Sequence, residues 1–206
     1  REGNTPLHLA AVNGHLRTVK LLVGRRADLY ALSNNGKTPL DMVLEQVQRR
    51  APALGMTPMQ IATRLGQDRT GIFLRAVLFE EYRNAAILGD MERLQKLVAL
   101  FPGFINGTLF GLTPLHHAAR AGHADAVRLL LENGADPSIL ALSIDGYAPL
   151  HEAAENGHMD VVRTLLLHGA QKDQLSHRGE TPEQVARNAG HMTIAHLISQ
   201  FQVREG

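Results

Sequence analysis

Apolar and polar positions along this chain fall into short blocks that return at a fixed interval. Leu7, Leu9, Ala10 and Ala11 are followed by a polar break at Asn13-Gly14-His15, and then by Val19, Leu21, Leu22 and Val23. The same succession recurs as Leu115/Ala118/Ala119, Gly122-His123 and Val127/Leu130/Leu131, and again as Leu150/Ala153/Ala154, Gly157-His158 and Val161/Val162/Leu165/Leu166. Apolar residues three and four apart mark one face of a helix, and the glycine allows the tight turn that sends a second helix back antiparallel. Thr5-Pro6, Thr38-Pro39, Thr113-Pro114, Ala148-Pro149 and Thr181-Pro182 open these blocks. Threonine can cap a helix, and proline is preorganised for its first position. The pattern predicts an all-α chain of short antiparallel helix pairs.

Spacing between the opening residues sets the organisation. Thr5 and Thr38 are 33 residues apart, residue 80 and Thr113 are 33 apart, Thr113 and Ala148 are 35 apart, and Ala148 and Thr181 are 33 apart. The register fails after Thr38, where a helical pattern runs on towards Arg50, Ala51-Pro52-Ala53-Leu54-Gly55 breaks it, and Thr57-Pro58 restarts it. We read one irregular unit with an insertion at 45–56; two truncated units are the alternative. Glu80 to Gly111 is a degenerate unit that lacks the Thr-Pro opening. Residues 1–79 are expected to close one set of units. Residues 80–206 are expected to begin another, with a starting unit at 80–112 and a polar capping unit at 179–206. One continuous array is the other arrangement compatible with the spacing.

Two copies carry the repeat most fully. Gly111-Leu112-Thr113-Pro114-Leu115-His116-His117-Ala118-Ala119 is answered by Gly146-Tyr147-Ala148-Pro149-Leu150-His151-Glu152-Ala153-Ala154, and each copy later closes on Gly-Ala at 134–135 and 169–170. A period of about 33 residues carrying T-P-L-H-x-A resembles the ankyrin-repeat family. That resemblance implies a solenoid of stacked antiparallel helix pairs with β-hairpin fingers, about six units here, irregular near 45–80. It also implies structural histidines at His8, His116 and His151 and at His15, His123, His158 and His191, each bonded to backbone in a neighbouring turn. His117, His168, His177 and His196 fall off this register and are expected in solvent. Arg26 occupies the place of the family's helix-ending glycine, which argues against a left-handed cap there.

Composition narrows the function. The 206 residues include no cysteine, which excludes disulfides and thiolate-held zinc, and the net charge of +1 gives no general attraction to nucleic acid or acidic membranes. No apolar run approaches the roughly 18 residues of a membrane span. An intracellular setting, cytoplasmic or nuclear, is the expectation. The chain begins with Arg1, so a piece of a longer protein is expected. The apolar face of the Thr5 unit has no polar cap of its own, which makes self-association through it a rival reading.

Lookalike motifs dissolve against the register. Ala31 to Thr38 differs from a phosphate-binding loop by Ala for the first glycine. Gly36-Lys37-Thr38, however, falls at a hairpin tip, and Pro39 removes an N–H such a loop would use. His151-Glu152-Ala153-Ala154-Glu155 lacks the second histidine of a zinc-protease helix. Asn106-Gly107-Thr108 matches a glycosylation acceptor but reads as a turn. No catalytic, cofactor-binding or metal-binding constellation remains, and the reading is a non-enzyme that binds another protein.

The resemblance implies that fingertips and the exposed ends of the first helices line a concave binding face. By register this face comprises Ile87, Leu88, Phe110, Leu112, Arg120, Leu142, Ile144, Tyr147, Glu155, Asn156 and Arg178. Two extra residues lie in the apolar finger Ser138 to Ile144. Phe110, Leu112, Leu142, Ile144 and Tyr147 are expected to form the hot spot for an apolar peptide segment or folded domain. The regulatory or targeting segment of a larger enzyme, such as a kinase, ubiquitin ligase or bacterial effector, is the alternative function.

Overall fold

The computed structural model describes residues 3–43, 45, 69–108 and 110–202. The insertion expected at 45–56 and the restart at Thr57 lie outside the described residues, Glu45 excepted. The chain divides into two compact units, residues 1–78 and 79–206.

In the first unit, α1 (Pro6–Val12) and α2 (Leu16–Gly24) pack as an antiparallel pair. Thr5 Oγ1 accepts from the His8 N–H, and the Thr5 N–H donates to His8 Nδ1 at 3.2 Å, so both ends of the capping box are satisfied. Leu7, Ala10, Ala11 and Val19 fill the interface. After α2 the chain turns at Arg26, whose φ of 60° is left-handed, and the Ala27 N–H donates to Leu22 O at 2.9 Å. The absence of glycine at 26 therefore did not remove the cap. Arginine adopts the strained conformation because the backbone bond that ends the helix requires it. A finger comes next, closed by the Ser33 N–H donating to Lys37 O, and residues 39–43 begin the next helix.

The helix α3 (Arg69–Leu88) runs without interruption through the place where one unit was expected to end and the next to begin. Residues 79–88 of α3 lead in the second unit into α4 (Met91–Leu100), to which Glu81 is tied by an ion pair with Arg93, and α4 is followed by a single 3-10 turn at Pro102–Phe104. Tyr82, fully buried, donates its hydroxyl to Phe101 O at 3.0 Å, and Phe79 packs on Phe104 with ring centroids 5.2 Å apart. These contacts tie the turn to α3 where the missing Thr-Pro opening would otherwise organise the unit.

Three regular pairs complete the second unit: α5 (Pro114–Ala121) with α6 (Ala124–Glu132), α7 (Pro149–Glu155) with α8 (Met159–Leu167), and α9 (Pro182–Asn188) with α10 (Met192–Gln200). First helices stack in the order α5, α7, α9, and second helices in the order α4, α6, α8, α10, so each repeat touches its neighbours. Alanines 118, 119, 153 and 154 let the first helices approach closely, while Leu115, Leu130, Leu150, Leu165 and Ile198 fill the layers between them. Burying each of these larger side chains stabilises by about 2 kcal/mol. This is the stacked all-α solenoid implied by the repeat. The fingers close as turns held by one or two backbone bonds, too short for continuous strands among the described residues.

Candidate functional site

Two layers of histidine hold the fingers and first helices in line. Thr113 caps α5, and its N–H donates to His116 Nδ1 at 3.2 Å. The ring proton therefore sits on Nε2, which donates to Tyr147 O of the next repeat at 3.0 Å. His8 makes the same bond to Lys37 O and His151 to Glu180 O. The second layer points the other way. His123, His158 and His191 bond through Nε2 to Ile87 O, Arg120 O and Glu155 O of the preceding repeat. Gly122, with φ of 82°, is needed twice here, because a Cβ on it would fall 2.7 Å from the His158 ring. Burial holds His116 down at about 4 and lowers His151, so both are neutral donors rather than charges at neutral pH.

The fingers stack in the same register. Leu142 N–H donates to Gly111 O and His177 N–H to Asp145 O, each linking one fingertip to the next. Arg178 and Asp145, at equivalent tip positions, form an ion pair at 2.5 Å. Phe110 occupies the equivalent position one repeat earlier. Its φ is 54°, a left-handed conformation rare for a bulky side chain, and the residue is 79% exposed. Leu142 and Ile144 on the adjoining finger are 76% and 86% exposed, so this finger does not fold back on itself. Leu88, at the end of α3, is 68% exposed, and Ile87 beside it is also exposed.

Two expectations need correction. Tyr147 is 8% exposed, because its ring turns back onto His151 in a parallel stack with centroids 5.3 Å apart. It supports the finger from beneath and offers no contact surface, while Leu112 is half-buried. His117 is not a solvated side chain: it is half-buried, its Nε2 has no partner among the described residues, and burial together with Arg120 and Arg83 lowers it to about 4. His177 is exposed, yet its Nδ1 bonds Ser143 O at 3.1 Å.

The ends of the first helices carry the polar residues that the register assigned to the expected face. Arg120 donates from Nε and Nη2 to the two oxygens of Glu152 in the next repeat, at 2.7 and 2.6 Å. Glu152 is buried, and the register did not single it out. Its position is that of His117 in the preceding repeat, and an acid there facing an arginine one repeat back was the available signal. Glu155 and Asn156 are exposed, and Asn156 donates to Glu152 O. Arg178 completes the row.

Among the described residues there is no cluster of metal-binding side chains and no helix long and apolar enough to cross a membrane. Lys37 of the phosphate-loop lookalike pairs with Glu45. Asn106 donates to Gly134 O and accepts from the Asp136 N–H, so its amide is a structural bridge between repeats.

Residues 83–176 match the family of ankyrin repeats (3 copies), and residues 2–34 match a further ankyrin repeat. The chain is 30% identical over 149 residues to the ankyrin repeat protein nuc-2 of Neurospora crassa, covering 66% of this chain and 12% of that protein. It is 34% identical over 148 residues to the human B-cell lymphoma 3 protein, covering 66% and 30%. It is 29% identical over 134 residues to a probable 26S proteasome regulatory subunit, p28, of Saccharomyces cerevisiae, covering 63% and 54%. The matches thus span from about an eighth to just over half of these relatives. With helix pairs, capping boxes, histidine layers and sequence matches in agreement, the chain belongs to the ankyrin-repeat family, whose repeats are protein–protein interaction modules.

Proposed function

We propose that this chain is a non-catalytic interaction scaffold that holds a protein partner on the fingertips and first-helix ends of residues 79–206, in an intracellular setting. The observation that carries this reading is the exposed apolar group of Phe110, Leu142 and Ile144 on two consecutive fingers, where the tips of the fingers at Gly36 and Gly179 present Asn35 and Arg178. A group of this kind on a rigid support favours binding, because little order is lost when a partner docks. Ile87, Leu88, Arg120, Glu155, Asn156 and Arg178 extend the face.

Affinity capture followed by quantitative mass spectrometry tests it, comparing the wild-type chain with a Leu142→Asp/Ile144→Asp variant of matched thermal stability. Proteins held by the wild type should fall about tenfold or more with the variant. Equal capture by a folded variant would overturn the reading.

A second reading, a regulatory or targeting segment of a larger protein, is favoured by the short share of each relative that the chain spans. The E3 ubiquitin-protein ligase XBAT32 of Arabidopsis thaliana is among the relatives, 28% identical over 156 residues, with 30% of its length matched.

A further inference from the structure

The chemistry of the fingertip face selects its occupant, a reading that rests on that face being the contact surface. Phe110, Leu142 and Ile144 expose on the order of 400 Å² of apolar surface, the size of a functional patch and about half of what each partner in a stable dimer needs. The patch therefore suits a short peptide segment better than a second copy of this chain. Phe110 holds a left-handed backbone conformation while its ring stays in solvent. Folding gains nothing from that exposure, which is the signature of a side chain presented for contact.

Charge at the edge of the patch selects among peptides. Ile144 is followed by Asp145, which is paired with Arg178. Glu152 is paired with Arg120, and Glu180 accepts from the Asn188 side chain. Glu155 is exposed on the same face and forms no ion pair among the described residues. The charged groups acting on it are Glu152 from its own helix, Arg120 from the preceding repeat, and Asp145 and Arg178 from the fingers. Partial desolvation and the two acids push its carboxyl up, and the two arginines, already committed to other carboxylates, offset this only in part. A cation arriving from outside finds an exposed carboxylate without an ion pair among the described residues, within electrostatic reach of Asp145, the residue that follows Ile144.

We propose that the bound segment is a short peptide that seats a bulky apolar side chain on Phe110, Leu142 and Ile144 and places a lysine or arginine against Glu155.

Panning a random dodecapeptide display library on the full chain tests this. Enriched peptides should combine a bulky apolar residue with a Lys or Arg a few positions away. The affinity of a synthetic copy should fall about fivefold on Glu155→Gln and weaken with added salt. Panning on Glu155→Lys should enrich Asp or Glu at the same place. Enriched peptides without a basic residue, or indifferent to Glu155→Gln, overturn the charge selection and leave the fingertip face standing. Peptides that still bind a folded Leu142→Asp/Ile144→Asp variant overturn the fingertip face itself. Failure of any peptide to enrich overturns the peptide as occupant.

Discussion

The guanidinium of Arg120 and the carboxylate of Glu152 meet through two hydrogen bonds, one residue on α5 and the other on α7 of the next repeat. Glu152 is buried while Arg120 is half exposed, so the arginine is the acid's main compensation for leaving water. Arg120→Ala should cost about 2 kcal/mol, discounted for the solvent that reaches the guanidinium. Arg120→Ala combined with Glu152→Gln should cost less than Arg120→Ala alone. Urea unfolding of these two variants and of Glu152→Gln alone measures this, and an additive double variant would show that the pair is not coupled.

Acid should loosen the stack before it protonates most carboxylates. His116 is lowered from 6.5 to about 4 by burial, so the unfolded chain binds its proton more readily than the folded one. Its contribution is full above pH 6.5 and is lost as pH falls from there towards 4, amounting to about 3 kcal/mol. Thermal melts from pH 7.5 to 4 should show the decline, and His116→Gln should make it shallower, leaving the share of His117 and His151, which burial also lowers.

Arg26 should be replaceable with profit to stability. Its φ of 60° is one that glycine adopts freely, and no hydrogen bond of its side chain is needed to end α2. Arg26→Gly should raise stability by about 1 kcal/mol in chemical denaturation. A loss of that size would mean that the arginine side chain holds the turn.

Ala148 leaves α7 without a side-chain cap, although its N–H still donates to His151 Nδ1 at 3.2 Å. Thr113 fills the equivalent buried place in the preceding repeat, so the space accepts a threonine. Ala148→Thr should add about 1 kcal/mol, read as a higher melting temperature.

Much of this was legible because ankyrin-type order is written locally. Thr113, Pro114 and His116 specify a capped helix and an outgoing bond within four residues, and Thr181 and Gln184 repeat the capping part of that pattern. Long side chains were harder to place. Register assigns Tyr147 to the contact row, but whether its ring faces out or folds onto His151 depends on packing that position alone does not encode. The same holds for His117, which burial takes out of solvent, and for Glu152, whose partner lies 32 residues away. The spacing marks a unit boundary at 79 and 80 but does not say whether a helix ends there, and because nothing there caps or breaks a helix, α3 continues to Leu88.

Methyl NMR of the chain with its captured partner tests the interaction face most directly. Leu142 and Ile144 report on the fingertips, and Leu167 at the end of α8 is a control of nearly equal exposure, 74%. Shifts of the Leu142 and Ile144 methyls with Leu167 unchanged are the predicted result. Shifts at Leu167 with Leu142 and Ile144 unmoved would contradict a fingertip interaction face.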